Sequence, residues 1–339
     1  MGLNEVRMSK QMNPNKPMSF LLRTYCATYN HENYITEALN GFAMQQTSFP
    51  VVYTIVDDAS TDKTPEVLKQ FVEENFDLEN ASVGYDKDAD YGHVTFAQHK
   101  TNKNCYFAVI YLKENHYSQR KSKAPYLTEW DNTKYVALCE GDDYWVDPVK
   151  LQKQVDFLEA HEDYSMCFTN CFVEKGGKRR PGIVTIWDTY TTKDMLLHNS
   201  LDMKKRGDLV VSPGHTSTIV YRRPTEPIPA WTTKCFIGDE PLFIALSQYG
   251  KAKFINEATS VYRQNVGVSS KDFSFEKDNV NRVKMYQTID EGLGFKYHRL
   301  ISSKIIAGYY KKLARIAWRE KRYFKGAGYF AQFLRSKTA

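Results

Sequence analysis

Three short apolar runs, each stopped by a cluster of polar and acidic residues, constrain the fold of this chain more than any other feature. Ser19 to Ala27 (SFLLRTYCA) runs into Thr28, Tyr29, Asn30, His31 and Glu32. Val51 to Val56 runs into Asp57, Asp58, Ala59, Ser60, Thr61 and Asp62, and Tyr135 to Cys139 runs into Glu140, Gly141, Asp142 and Asp143. Apolar runs of strand length with polar borders read as buried strands. Between the first two, Tyr34 to Gln45 places Ile35, Ala38, Leu39, Phe42 and Ala43 at helical spacing, and a second helix is expected from about Thr64 to Glu74 with Pro65 in its first turn. A βαβα order predicts an α/β fold with a parallel sheet and right-handed crossovers. Ligands bind such sheets at the carboxyl ends of the strands, so three acid-tipped ends on one edge make one site.

Between the second and third of these runs another strand is expected near Tyr106 to Leu112, and beyond them an amphipathic helix over Pro148 to Ala160 and a strand over Tyr164 to Val173. Glu174 to Arg180 reads as a turn with Ile183 to Trp187 as its hairpin partner, and Ser217 to Tyr221 as another strand. Asp239, Glu240 and Pro241 suit the start of an apolar helix from Leu242 to Tyr249, and Lys253 to Ile255 and Ser260 to Tyr262 read as short terminal strands. Two basic amphipathic helices follow, roughly Leu300 to Arg319 and Tyr323 to Arg335. The expected division is a disordered leader over residues 1–18, a catalytic domain over 19–270 and a basic α-helical extension over 271–339.

Charge is distributed unevenly. From Lys296 to Ala339 there are twelve Lys or Arg against one acid, Glu320, a balance of +11, which leaves −5 on the remainder of a chain whose net charge is +6. Neither a bilayer-spanning apolar stretch nor the apolar core of a signal peptide is visible, which predicts a cytoplasmic protein, peripheral at the inner face of the membrane if the basic segment meets anionic lipid. The six cysteines form no CxxC pair, and Cys26, Cys139 and Cys167 sit inside apolar runs, so buried reduced thiols are expected. GxxxxGK[ST], GxGxxG and GxSxG are all absent, which removes the main support for P-loop, dinucleotide-fingerprint and serine-hydrolase chemistry.

Four separated signals remain: ATYNHE at Ala27 to Glu32, VDDASTDKT at Val56 to Thr64, EGDDYW at Glu140 to Trp145, and GDEPL at Gly238 to Leu242. Their order and spacing resemble the family 2 glycosyltransferases over about Phe20 to Ser270, and ALCEGDDYWVDPVKLQKQVDFLE resembles bacterial members that build capsule or other surface polysaccharides. The resemblance implies a GT-A fold and transfer from a nucleotide-diphosphate sugar with inversion, UDP being the first nucleotide to test. It implies a nucleotide pocket at Thr28, Tyr29, Asn30, Glu32, Asp57, Asp58 and Asp142, with Tyr29 as an aromatic face for the base. Glu140 to Asp143 take the place of the family's metal motif, where Mn2+ or Mg2+ would bridge two phosphates and offset charge on the leaving group. Glu140 departs from the commoner Asp, and either Asp142 or Asp143 could touch the ion.

An acceptor hydroxyl needs a base, and Asp239 matches the family position for it; Glu240 competes, and an ordinary helix N-terminal acid is the plain alternative. Many relatives carry a His where this chain has Asn265, a weaker ligand that would leave a site completed by substrate phosphates. Arg263 could face the diphosphate, His215 the acceptor, and Trp145 the cleft wall, each competing with an ordinary structural role. The acceptor is expected to be a saccharide or a lipid-linked saccharide, with residues 296–339 available to an anionic membrane surface. A sugar-nucleotide nucleotidyltransferase lacks its Gly-rich basic loop here, and a nucleic-acid module would leave acid-tipped strand ends facing a polyanion, so no nucleic acid is expected.

Overall fold

The structure, a computed structural model, describes residues 19–182, 187–200, 214–266 and 274–338. The expected leader and residues 183–186 of the expected hairpin partner lie outside the described residues. β1 (Leu22–Thr28), α1 (Ile35–Ala43), β2 (Val51–Asp57) and α2 (Thr64–Asn75) follow one another as two βα units. β3 (Phe76–Asp77), β4 (Tyr85–Ala89), β5 (Gly92–His99), β6 (Cys105–Leu112), β7 (Tyr135–Leu138) and β8 (Tyr144–Trp145) lead to α3 (Lys150–Ala160). Next come β9 (Tyr164–Lys175), β10 (Lys178–Pro181), β11 (Thr189–Tyr190), α4 (Thr192–Ser200), β12 (Ile219–Arg222), α5 (Asp239–Leu246) and β13 (Lys251–Arg263). The chain finishes in α6 (Phe275–Gly292), the short α7 (His298–Leu300), a π-helical turn over Ile301–Ile306, α8 (Ala307–Arg319) and α9 (Tyr323–Thr338).

Among the described residues one mixed sheet runs β11-β13-β9-β12-β7-β1-β2-β6-β5-β3, with β10, β4 and β8 pairing onto β9, β5 and β13. Its centre, β7-β1-β2-β6, is wholly parallel, with Thr28 opposite Asp57 and Tyr25 opposite Leu138. Every residue of β2 is buried, as a strand covered on both faces requires. On one face Ile35, Leu39 and Phe42 of α1, Leu68 and Val72 of α2, and Leu151, Val155 and Leu158 of α3 pack on Leu22, Cys26, Tyr53, Ile55 and Tyr135. On the other, Val52, Val56 and Ile110 meet Leu127 and Trp130 of the loop before β7. The parallel register brings the ends of β7, β1 and β2 side by side, so the architecture is the expected α/β GT-A arrangement with carboxyl-terminal helices.

Several local expectations change. The two terminal strands are one, β13, interrupted by register shifts between Ile255 and Ala258 and between Ala258 and Ser260, where polar residues hid its continuity. Glu174 to Arg180 contains a tight turn at Gly176 and Gly177, both at positive φ, and the hairpin partner of β9 is Lys178–Pro181. The strand expected from Ser217 begins only at Ile219, after a 3-10 turn over Thr216–Thr218. All six cysteines are free thiols, five of them buried. The carboxyl-terminal helices seat Val283, Tyr286, Ile289, Ile301 and Ile305 against Leu196 of α4 and Ile244 of α5.

Candidate active site

Hydrogen bonds stitch the ends of β1 and β2 into one wall. Asn30 holds a left-handed backbone (φ 56°), a conformation asparagine tolerates. Its amide donates to Ser60 Oγ at 2.9 Å while its Oδ1 accepts from the Thr61 amide at 2.8 Å. Glu32 donates its amide to Asp62 and accepts from the Lys63 amide at 3.0 Å. The buried Asp57 carboxylate accepts from the Ser60 hydroxyl; burial pushes it up to about 6 and those bonds hold it down. Asp58, also buried, accepts from the His116 and Tyr117 amides at 2.8 and 3.0 Å and pairs with Lys123 Nζ at 3.0 Å. Of the residues assigned to the nucleotide, Asn30, Glu32 and Asp58 thus shape the loops, while Tyr29 stands half-buried at the end of β1.

The β7 end touches the β1 end directly. Gly141 donates to the Ala27 carbonyl at 3.0 Å, and a Cβ at this glycine would fall 2.7 Å from Thr28 Oγ1 and 2.8 Å from Thr28 Cβ. Only glycine permits that approach. Thr28 Oγ1 also meets His31 Nδ1 at 3.1 Å, and His31 Nε2 lies 3.9 Å from Asp142 Oδ2. His31 is a site neighbour the sequence reading left without a role, although it stood inside the ATYNHE run.

The four residues Glu140 to Asp143 face different surroundings. Glu140 opens to solvent but is otherwise ringed by protein; that crowding, then Asp142 and Asp239, push its carboxyl up to about 7, a shift the water of the cleft screens in part. Asp142 keeps 13% of its side chain exposed, whereas Asp143 keeps 1%. Asp143 Oδ1 accepts the Arg263 amide at 2.9 Å, its Oδ2 is buried without a hydrogen-bond partner 3.7 Å from His215 Nδ1, and burial raises this carboxyl.

Arg263 is buried and engaged on every side. It donates to the Asp142 carbonyl at 2.8 Å and to Glu174 at 3.4 Å, bonds Glu37, and stacks its guanidinium 4.3 Å from the Tyr144 ring centre. Its donors hold the acidic turn in place rather than pointing into the cleft. Trp145 is core: it donates to the Ser217 carbonyl at 2.8 Å and packs edge-on against Phe42. Asn265, exposed and left-handed (φ 68°), lies just beyond β13.

Opposite these strand ends lies the amino terminus of α5. Asp239 is half-buried, 3.5 Å from Thr216 Oγ1, and close enough to Glu140 and His215 to be felt electrostatically by both. Glu240 turns away, accepting from Tyr286 and from Arg282 at 3.2 Å on α6. His215 stacks on Tyr262 at 4.1 Å between ring centres, and burial lowers it to about 4. Glu140 is thus within electrostatic reach of both Asp142 and Asp239.

Residues 26–83 match the family described as glycosyl transferase family 2. Two uncharacterized proteins, Rv1520 of Mycobacterium tuberculosis and Mb1547 of Mycobacterium bovis, are each 31% identical over 242 residues, covering 70% of this chain and 57% of theirs. The chain therefore spans little more than half the length of those relatives. Crystal structures of Staphylococcus aureus TarS 1–349 superpose with a TM-score of 0.56 in complex with UDP-GlcNAc (16% identity, 94% of this chain, 81% of that one) and 0.54 in complex with UDP (13%, 94% and 89%). At those identities the likeness is one of fold.

Proposed function

We propose that this chain, which carries a family 2 glycosyltransferase segment on a GT-A fold, moves a sugar from a nucleotide-diphosphate donor, UDP-linked in the first instance, to a saccharide or lipid-linked acceptor in surface polysaccharide synthesis. The reaction is inverting, by direct displacement. One observation supports the reading: the ends of three adjacent parallel strands lie side by side, and Glu140 at the end of β7 is within electrostatic reach of Asp142 and of Asp239 at the start of α5. A sugar-nucleotide nucleotidyltransferase would need a basic phosphate cradle, and two basic side chains at these strand ends, Lys123 and Arg263, are tied to Asp58 and to the acidic turn.

A divalent cation fits this donor set. Burial first, and then the charges of Asp142 and Asp239, raise Glu140, and the neighbouring charges among these are what a cation would offset. Among the described residues no three His, Cys, Asp or Glu side chains are placed to hold an ion by themselves, so an ion here would need oxygens from a diphosphate as well. Asp142, the carboxylate with an exposed edge, would hold it with Glu140 nearby, and Mn2+ or Mg2+ so bound would offset charge on the departing diphosphate. Asp143, buried on the Arg263 amide, orients its neighbour.

The residues of the chain do the rest. The β1 and β2 loops, fastened to each other by Asn30 and Glu32, offer Tyr29 to the nucleoside, with the buried Thr28 beneath it joining β1 to the β7 end. Asp239 takes the proton from the attacking hydroxyl, because a neutral alcohol is a weak nucleophile. Glu240, tied to Arg282 and Tyr286, fixes the helix that presents Asp239. Release of nucleoside diphosphate from a panel of sugar nucleotides, with wild type and Asp239→Asn, tests this. The variant is expected to keep donor binding and lose transfer at least a hundredfold, on the order of a removed general base; an active Asp239→Asn would overturn the assignment.

A further inference from the structure

The carboxyl-terminal hairpin carries a surface that the transfer reaction does not use. Lys304 of the π-helical turn and Lys311, Arg315 and Arg319 of α8 are all exposed and recur at helical spacing, forming one basic stripe beside the half-open Trp318. On α9, Phe324 is 97% exposed and Leu334 51%, and with Ala327 and Ala331 they make an apolar arc along the side turned away from α8, bordered by Phe330. Gly326 lets the two helices close: a Cβ there would lie 2.3 Å from the Trp318 ring. Stripe and arc meet at the groove between the helices, where Trp318 packs on Phe330 at 5.6 Å and Lys311 stands 5.9 Å over the Phe333 ring. Arg322 and Lys325 pair with Glu276 at 2.8 and 2.7 Å and stand apart from this stripe.

We infer that this face docks on an anionic lipid bilayer, with the α9 arc entering the headgroup region and the α8 stripe lying over the phosphates. Exposed apolar side chains beside basic residues fit that surface on both counts, whereas water leaves the first unsatisfied and a neutral bilayer the second. Charge complementarity also sets the orientation. Residues 296–339 carry +11 and the rest of the chain −5, so an anionic plane attracts the hairpin and repels the acid-floored domain. No helix of the described residues is long and apolar enough to cross a membrane, so the contact is peripheral. The inference stands whichever sugar is transferred.

Co-sedimentation of the full chain tests it, using phosphatidylcholine vesicles with and without about one third phosphatidylglycerol. Binding is expected only to the anionic vesicles and is expected to weaken with salt. Lys311→Glu with Arg315→Glu reverses two exposed charges, and at about fivefold per charge near the surface it should cut partition at least tenfold. Phe324→Ser with Leu334→Ser should cut it about tenfold by removing apolar insertion. Circular dichroism and donor turnover in solution are expected to be unchanged in both variants. Equal binding to neutral vesicles, no binding, or wild-type binding by both variants overturns the proposal. So does a concentration-dependent dimer broken by Phe324→Ser with Leu334→Ser in a protein that ignores vesicles, which would assign the face to a second copy.

Discussion

Replacing Arg263 with methionine should cost more than its place on the last strand suggests, and the cost follows from what the guanidinium holds. The Asp142 carbonyl loses a donor at 2.8 Å inside the protein, worth about 1–3 kcal/mol. The stack on Tyr144 contributes about 1 kcal/mol more. Glu174 keeps Arg179 at 2.8 Å, and Glu37 is 47% exposed and returns to water, so neither adds much. The sum, about 2–4 kcal/mol, lies at the lower end of what broken buried pairs cost. Equilibrium urea unfolding should show it as a midpoint lowered by about 1 M at an m-value near 3 kcal/mol/M. Arg263→Lys should recover less than half, because an ammonium cannot span Glu37, Glu174 and the carbonyl as a fork does. A loss under about 0.5 kcal/mol, or full recovery by lysine, would refute the reasoning.

Gly141→Ala tests the contact between strand ends. Its Cβ would fall 2.7 Å from Thr28 Oγ1, so β7 and β1 must separate; an overpacking cost of about 1–3 kcal/mol and a donor affinity reduced at least tenfold are expected, and calorimetry showing wild-type affinity would count against the shared site. His215 sets part of the acid sensitivity. Burial lowers it from 6.5 to about 4, so its contribution is fully present above pH 6.5 and is lost as pH falls from 6.5 toward 4, up to about 3 kcal/mol. Urea unfolding at pH 7 and pH 4.5 should show a smaller acid loss in His215→Gln than in wild type, and equal losses would contradict the burial argument.

The parallel centre of the sheet was legible because β1, β2 and β7 are buried, and apolar runs of strand length leave few alternatives. The edge was not. β4 reads YDKDA and lies mostly exposed, so no apolar period betrays it, and only its pairing with β5 makes it a strand. The helix α6 hides its buried Val283, Tyr286 and Ile289 among charges that serve Glu240 and α9. Within the site, residue types announced the acids, but not their division of labour. That depends on Arg263 meeting Asp143 across 120 positions and on Lys123 meeting Asp58 across sixty-five, partnerships no local spacing encodes. Trp145 shows the same limit: aromatic residues beside acids suit a cleft or a core equally, and packing against Phe42 decides for the core.

Isothermal titration of UDP into the protein, with Mn2+ or Mg2+ and again in EDTA, tests most directly whether the acid-tipped strand ends hold a nucleoside diphosphate through a cation. Binding at least tenfold tighter with the divalent ion, about 1.4 kcal/mol or more, is expected for wild type and is expected to disappear in Asp142→Asn. Affinity that is the same in EDTA, or a cation effect that survives in Asp142→Asn, would contradict it.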